Sequence, residues 1–138
     1  MRFAHVNVTD FVLLQAIETF EQWLGRARHR LSARLNLRDW DQVITGKQLL
    51  WGVTPKPSVD LQDQMRVLFI MLNSGLRMSD TMIATSTPNT LMFNRSADRL
   101  RHGRRELASK GIIKPAGRVT TATATATAWV VADEFKGL

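Results

Sequence analysis

Hydrophobic residues recur every three or four positions over residues 10–35, and this spacing predicts one long helix. The recurring positions form an a/d seam, the pattern of a helix that packs along one face. They are Leu13, Ile17, Phe20, Leu24, Ala27 and Leu31. The seam can pack on its own domain or on a second copy of the chain, and both interpretations stay open. A homodimer would use Leu13, Ile17, Phe20, Leu24 and Leu31.

The segments that follow divide the chain in two. Residues 39–51 carry a short apolar pattern that predicts another helix. Residues 52–58 contain two prolines, which are not tolerated inside a helix and therefore predict a turn or linker. We accordingly expect an N-terminal helical region, residues 1–58, and a C-terminal module, residues 59–138.

The C-terminal module opens with a strongly apolar pattern over residues 60–74, which predicts a largely buried helix. Gly75 is placed to end that helix as its C-terminal cap. Residues 81–85 are compatible with a short strand. Thr87 as N-cap and Pro88 in the first helical position then predict a short helix that reaches about residue 93.

A longer helix is predicted over residues 97–110, with Ser96 as its N-cap and Gly111 at its end. Gly103 lies on its apolar face and lowers helix propensity by about 1 kcal/mol, which close packing against the preceding helix would explain. A competing interpretation joins residues 88–110 into one helix and makes residues 79–85 the helix before it. The capping pattern at Ser96 favours the interrupted version.

Thr and Ala alternate over residues 121–128, with no charged residue among them. Alternation along a strand would place the threonines on one face and the alanines on the other. We expect Trp129 and Val131 in a return strand, with the Thr/Ala stretch projecting as a hairpin or mobile loop. The alternatives are a low-complexity segment without a structural role and a strand edge that pairs with a second chain.

This order of elements resembles a winged helix-turn-helix over about residues 60–132. In particular, "STPNTLMFNRSADRLRHGRRELASKGII" is similar to the winged modules of plasmid replication initiators and many bacterial regulators. There, a proline and a leucine open the second helix, a serine opens the recognition helix, and L-x-x-x-G-[LI]-I closes it. The turn between the two helices is about two residues shorter than in that pattern. The resemblance implies a mainly α fold with a small β-hairpin (α+β), preceded by the long N-terminal helix.

The charge pattern points to a polyanionic partner. Residues 94–118 carry eight basic and two acidic residues, a net charge of +6, within a chain whose net charge is +7. Residues 26–38 add five arginines without an acidic residue, so the rest of the chain is net acidic. Positive charge clustered in this way is typical of proteins that bind nucleic acid.

The resemblance also implies roles by position. The helix over residues 97–110 would enter the major groove of double-stranded DNA, with its N-terminal residues nearest the bases. The basic residues further along it would contact phosphates, and the wing would add contacts of its own. The expected DNA-binding residues are Asn94, Arg95, Ser96, Arg99, Arg101, His102, Arg105, Lys114 and Arg118.

The sequence thus predicts a cytoplasmic, homodimeric DNA-binding protein that regulates transcription, plasmid or phage replication, or partition. A sequence-tolerant nucleoid or RNA-associated protein and a winged protein–protein adaptor are the alternatives. We expect no enzyme, cofactor or metal, because His5, His29 and His102 show no metal-ligand spacing. The absence of cysteine excludes a disulfide framework. No apolar run approaches the roughly 20 residues that a membrane span needs.

Overall fold

The structure, a computed structural model, describes residues 8–31, 59–93 and 95–138. The described residues form a mainly helical fold with one small antiparallel hairpin, as the sequence predicts. The helices are α1 (Val8–Leu31), α2 (Val59–Ser74), α3 (Asp80–Ala84) and α4 (Ala97–Ser109), with a π-helical turn at Asn89–Phe93 and a 3-10 turn at Asp133–Phe135. The strands are β1 (Ile113–Thr120) and β2 (Thr125–Val131). The helix predicted over residues 39–51 and the linker over residues 52–58 lie outside the described residues.

The a/d seam of α1 packs into the core of its own chain. Its residues from Ile17 to Leu31 are buried, and only Leu13 is partly exposed. The ring of Phe20 lies 5.0 Å from the rings of both Phe69 on α2 and Phe93. The intramolecular interpretation of the seam is therefore the one the structure adopts. A homodimer stays a prediction, and it would need a surface other than this seam.

Helix α2 is the centre of the fold. It is buried continuously from Leu61 to Met71, and α4 packs across it. The two backbones come so close that a Cβ atom on Gly103 would lie 2.7 Å from the carbonyl oxygen of Asp63. A helix contact does explain Gly103, but the helix that it approaches is α2 and not the one directly before α4.

Substitution of Gly103 by alanine is expected to lower the free energy of unfolding by about 1–3 kcal/mol, because the added methyl group overpacks the α2–α4 contact. The control is Gly25→Ala in α1, where a Cβ meets nothing within 4 Å. There the gain in helix propensity should raise stability by up to about 1 kcal/mol. Urea unfolding of both variants measures the difference, and equal stabilisation by the two would refute the close approach.

The strand predicted over residues 81–85 was wrong, because these residues belong to α3 and the turn after it. The Ser79 side chain accepts a hydrogen bond from the backbone N–H of Met82. The carboxylate of Asp80 lies in the first turn, where it interacts favourably with the positive end of the helix dipole. Strand pairing occurs just before this helix, where Met78 forms an isolated antiparallel β-bridge with Trp129. The structure agrees in part with each interpretation of residues 79–110. The earlier helix of the competing interpretation is present as α3, and the non-helical Arg95 and Ser96 still interrupt the chain before α4.

The predicted signals at both ends of α4 and at the end of α2 are confirmed, whereas Thr87 as N-cap was wrong, because Ser86 accepts the hydrogen bond from the N–H of Asn89 and Thr87 is already helical. Ser96 caps α4 by accepting a hydrogen bond from the N–H of Arg99. Gly75 and Gly111 follow α2 and α4 with positive φ angles of 68° and 72°, which glycine adopts without steric cost. These signals act within a few residues, which is why the sequence reveals them.

The hairpin follows α4 directly. Thr120 pairs with Thr125 across a turn formed by residues 121–124, and a bulge interrupts the register between Pro115 and Arg118. Gly117 sits in the bulge with a φ of 80°. Trp129 and Val131 lie in β2, as predicted.

Candidate nucleic-acid interface

Helix α4 has one buried face and one exposed face. Leu100, Gly103 and Leu107 are buried on one face, and Gly103 on that face approaches the backbone of α2. The opposite, outward face consists of Asp98, Arg101, His102, Arg105 and Ser109. Four members of this face are exposed and His102 is partly exposed. This outward face is the part of α4 that a groove of a duplex could receive.

Arg95 and Arg99 are tied to a buried carboxylate. Asp63 on α2 is fully buried, and its Oδ1 accepts a hydrogen bond from Nε of Arg95 at 3.0 Å. Its Oδ2 accepts from Nη2 of Arg95 at 3.3 Å and from Nε of Arg99 at 2.9 Å. The two arginines therefore join the start of α4 to α2, a role that the sequence analysis missed.

A third arginine completes this group, which we call the Asp63 cluster: Asp63, Arg66, Arg95 and Arg99. The buried Arg66 donates from Nη1 to Oδ1 of Asp63 at 2.8 Å and from Nη2 to Oε1 of Gln62 at 3.0 Å. Burial lowers the pKa of Arg66, the Asp63 carboxylate opposes that effect, and the nearby Arg95 and Arg99 add to it. The i, i+3 spacing of Asp63 and Arg66 in a helix predicted to be largely buried is the signal by which the sequence could have revealed the cluster.

On its other flank, α4 is held to α3 and the hairpin. Arg104 makes two parallel hydrogen bonds to Asp80, from Nε at 2.7 Å and from Nη2 at 2.8 Å. Its guanidinium carbon also lies 4.3 Å from the centre of the Trp129 ring. Because only 12% of its side chain is exposed, Arg104 anchors the helix instead of facing solvent. Arg101 forms longer ion pairs: its Nε lies 3.8 Å from Oδ2 of Asp80, and its Nη1 lies 3.3 Å from Oδ1 of Asp98.

The hairpin packs beside α4 through the ring of Trp129. Side chains alternate along a strand and paired residues share a face, so Thr125 and Thr127 lie on the Trp129 face of β2. Arg118 and Thr120 of β1 pair with Thr127 and Thr125 and share that face. The contact between Arg104 and Trp129 joins this threonine face to α4. Arg118 on this face and Arg101 and Arg105 on α4 are all exposed.

The predicted alternation is confirmed where the Thr/Ala stretch is a strand. Thr125 and Thr127 lie on one face, and Ala126 and Ala128 lie on the other. Residues 121–124 instead form the exposed turn, closed by a hydrogen bond of 2.8 Å from the N–H of Thr121 to the carbonyl of Ala124. The stretch is therefore a projecting hairpin tip and the first half of β2.

Besides Arg101, three predicted DNA-binding residues are exposed cations: Arg105, Lys114 and Arg118. None of them forms an ion pair within 4.0 Å with another residue in the described part of the chain. Ser96 serves as the N-cap, and Asn94 lies outside the described residues. The structure adds Arg77, an exposed residue whose Nη1 donates to the carbonyl of Ala116 in the bulge at 3.0 Å. Arg77 stands outside both basic clusters, so the charge pattern did not single it out.

The described residues hold no group of three histidine, aspartate or glutamate side chains arranged to bind a metal ion. None of the helices in this part of the chain has the length and apolar character needed to cross a membrane. Comparison with models of protein families, with curated proteins and with solved structures finds no significant match to the chain.

Proposed function

We propose that this chain is a winged helix-turn-helix protein that binds duplex DNA through the outward face of α4 and the threonine face of the hairpin. The observation that carries the proposal is the contact between Arg104 and Trp129, which holds the hairpin against α4. A helix and a two-stranded ribbon are the elements that DNA grooves accommodate. Binding by occupancy would then regulate transcription, replication or partition.

The order of elements supports this proposal. A buried helix, α2, is followed by the short pairing segment at Met78, by α3 and by α4, and the hairpin closes the unit. Met78 pairs with Trp129 through two backbone hydrogen bonds of 2.8 and 2.9 Å, which fixes the hairpin to the helical body. A wing attached in this way would keep a fixed angle to the helix that it accompanies.

The distribution of paired and unpaired cations also supports it. Arg95, Arg99 and Arg104 are anchored by carboxylates of α2 and α3, so they stabilise the position of α4. Arg105 and Arg118 lie exposed on the proposed interface, where they could meet phosphates without first breaking an ion pair to another described residue. In this proposal, the anchored arginines position the helix and the exposed ones bind.

Replacement of Arg105 by alanine should weaken binding to random and selected duplexes alike and lower the salt slope, d log K/d log [salt], by about one, because one phosphate contact is lost. Fluorescence anisotropy over a series of NaCl concentrations gives both quantities. Arg26→Ala removes the same charge from an exposed position on α1, a helix outside the proposed interface, and is the matched control. An equal loss of duplex affinity in both variants would mean that binding depends on the net charge of the chain and not on the position of Arg105.

Selection of bound fragments from a random DNA pool tests the function itself. A sequence-specific regulator should prefer its site over random DNA by roughly 10³- to 10⁷-fold. Binding without enrichment would favour the sequence-tolerant alternative. No binding at low salt would reject the proposal and leave the adaptor alternative.

A further inference from the structure

We propose that the outer edge of β2 pairs with the same edge of a second copy of the chain, so that two hairpins join into one four-stranded antiparallel sheet. This edge consists of the backbone N–H and C=O groups of Thr125 and Thr127, and we call it the free edge. The inference goes beyond the proposed function because the partner is a protein and the pairing does not depend on DNA. It gives the predicted homodimer a surface other than the α1 seam, which is buried within the chain.

The hydrogen bonds of Trp129 show which side of β2 is open. Its N–H donates to the carbonyl of Met78 at 2.8 Å, and its carbonyl accepts from the N–H of Met78 at 2.9 Å. Both groups of Trp129 therefore point away from β1. The N–H and C=O of one residue point to the same side of a strand, and the side reverses at each successive residue. Thr127 and Thr125, two and four positions before Trp129, point away from β1 as well.

Contacts on the inner side of β2 agree with this direction. The carbonyl of Ala124 accepts from the N–H of Thr121 at 2.8 Å, and the N–H of Ala132 donates to the carbonyl of Ile112 at 2.9 Å. The extra residue of the bulge belongs to β1, so the alternation along β2 continues without a break. Even-numbered residues of β2 thus bond to β1, and odd-numbered residues present their backbone groups outward.

The segment that pairs with Trp129 leaves the sheet before it reaches the free edge. Met78 is antiparallel to β2, so the chain that follows it runs toward Thr127, but α3 begins at Asp80. No residue in the described part of the chain forms a hydrogen bond with the outward backbone groups of Thr125 or Thr127. Thr125 is exposed and Thr127 is partly exposed. An unpaired edge of this kind is a template for a further strand.

Charge favours a second copy as that strand. The chain carries a net charge of +7, yet no charged residue lies between Arg118 and Asp133. A lysine or proline commonly protects an edge from pairing, and β2 contains neither. In the joined sheet, the two copies of Arg118 would be three strand spacings apart, about 14 Å. That distance exceeds the Debye length of about 8 Å at physiological salt, so repulsion between them is screened.

The spacing of the free edge suits a two-fold axis. Two outward residues with one inward residue between them are self-complementary, since Thr125 of each copy can pair with Thr127 of the other about an axis at Ala126. Each such pair exchanges two N–H···O bonds, which gives about four backbone hydrogen bonds in the interface. Because so short an edge buries little area, we expect a weak dimer with a Kd of roughly 0.1–1 mM.

The test uses the unaltered chain without DNA. Exchange of its backbone amide protons is followed by NMR at about 20 μM and about 1 mM protein, with sedimentation equilibrium over the same range. We expect the average mass to rise toward that of a dimer at the higher concentration. Exchange at Thr125 and Thr127 should slow by about two- to fivefold, the factor by which a Kd in this range lowers the monomer fraction.

Each result decides for or against the free edge. A rise in mass together with slower exchange at both threonines supports it. A rise in mass without slower exchange there would show that the dimer uses another surface, and a monomer at both concentrations would show no pairing, so either result overturns the inference. Protection that appears only after a duplex is added would assign the edge to DNA and would also overturn it. The proposed function survives each failure, because duplex binding is measured separately.

A pair of variants adds a second readout. Thr127→Pro removes one outward N–H, and proline is tolerated in an edge strand where that N–H is not needed by the ladder. We expect this variant to fold and to stay monomeric at about 1 mM. Thr127→Ala keeps the N–H and is the matched control, which should associate like the unaltered chain. Equal masses for the two variants would contradict the pairing, and a melting curve of each checks that it is folded.

Discussion

Replacement of Asp63 by alanine is expected to lower the free energy of unfolding by about 3–5 kcal/mol, the largest loss that we expect from one polar residue. The substitution takes the carboxylate away from Arg66, which is 1% exposed and cannot turn to water without opening the core. It also releases Arg95 and Arg99, which join the start of α4 to α2. An uncompensated buried cation is the main cause of the expected loss.

Asp98→Ala is the matched control for that experiment. Asp98 also pairs with an arginine, at 3.3 Å from Arg101, but its side chain is 89% exposed. An exposed pair contributes at most about 1 kcal/mol, so the control should unfold at nearly the same urea concentration as the unaltered chain. If the two substitutions had similarly small effects, the Asp63 cluster would not be the buried anchor that its geometry indicates.

A double substitution distinguishes the lost charge from the lost side-chain volume. Asp63→Leu combined with Arg66→Met removes both buried charges and keeps apolar volume at the centre of α2. Replacement of a buried ion pair by apolar residues of similar size is often neutral. We therefore expect this variant to be more stable than Asp63→Ala, although Arg95 and Arg99 would then lack their carboxylate.

Replacement of Phe20 by alanine is expected to cost about 3–5 kcal/mol of unfolding free energy, since a large cavity would open in the core. The side chain is 2% exposed, and its ring contacts the rings of Trp23, Phe69 and Phe93 at centre distances of 5.9, 5.0 and 5.0 Å. The edge-on contacts with Phe69 and Phe93 would be lost together with the buried area. Urea unfolding followed by tryptophan fluorescence measures the change.

Leu14→Ala on the same helix is the control, because Leu14 is 48% exposed and lies off the seam. Its effect should stay within about 0.5 kcal/mol. The comparison also tests the homodimer. If the seam were a dimer contact, loss of stability in Phe20→Ala would depend on protein concentration. An effect independent of concentration would agree with the intramolecular packing of Phe20 against α2.

Substitutions in the α1 seam cannot separate dimerisation from folding. Charged residues at Ile17 and Leu24 would test dimerisation cleanly only if those side chains faced a second copy. Both are buried within the chain, so a charge there is expected to unfold the protein instead of releasing monomers. The exposed apolar residues Val12 and Leu14 on the same helix are better positions for that test.

The sequence by itself determined the features that depend on neighbours along the chain. The three- and four-residue spacing determined the buried face of α1, and the capping serine determined where α4 begins. Gly75 and Gly111 marked helix ends, since a positive φ is a local requirement. The prediction of a strand over residues 81–85 was wrong because of another local signal. The N-cap formed by Ser79 outweighed β propensity in so short a segment.

Only the tertiary structure decided what each arginine does. From the sequence, Arg95 and Arg99 were expected near the bases, and the basic residues further along the helix, Arg104 and Arg105 among them, were expected to contact phosphates or solvent. In the folded chain, Asp63 holds the first two from 32 and 36 positions away, and Asp80 holds Arg104 from 24 positions away. Arg105 is left exposed on the outward face. The pairing of a charge depends on which helices cross and at what distance, and Gly103 allows that crossing because it lacks a side chain.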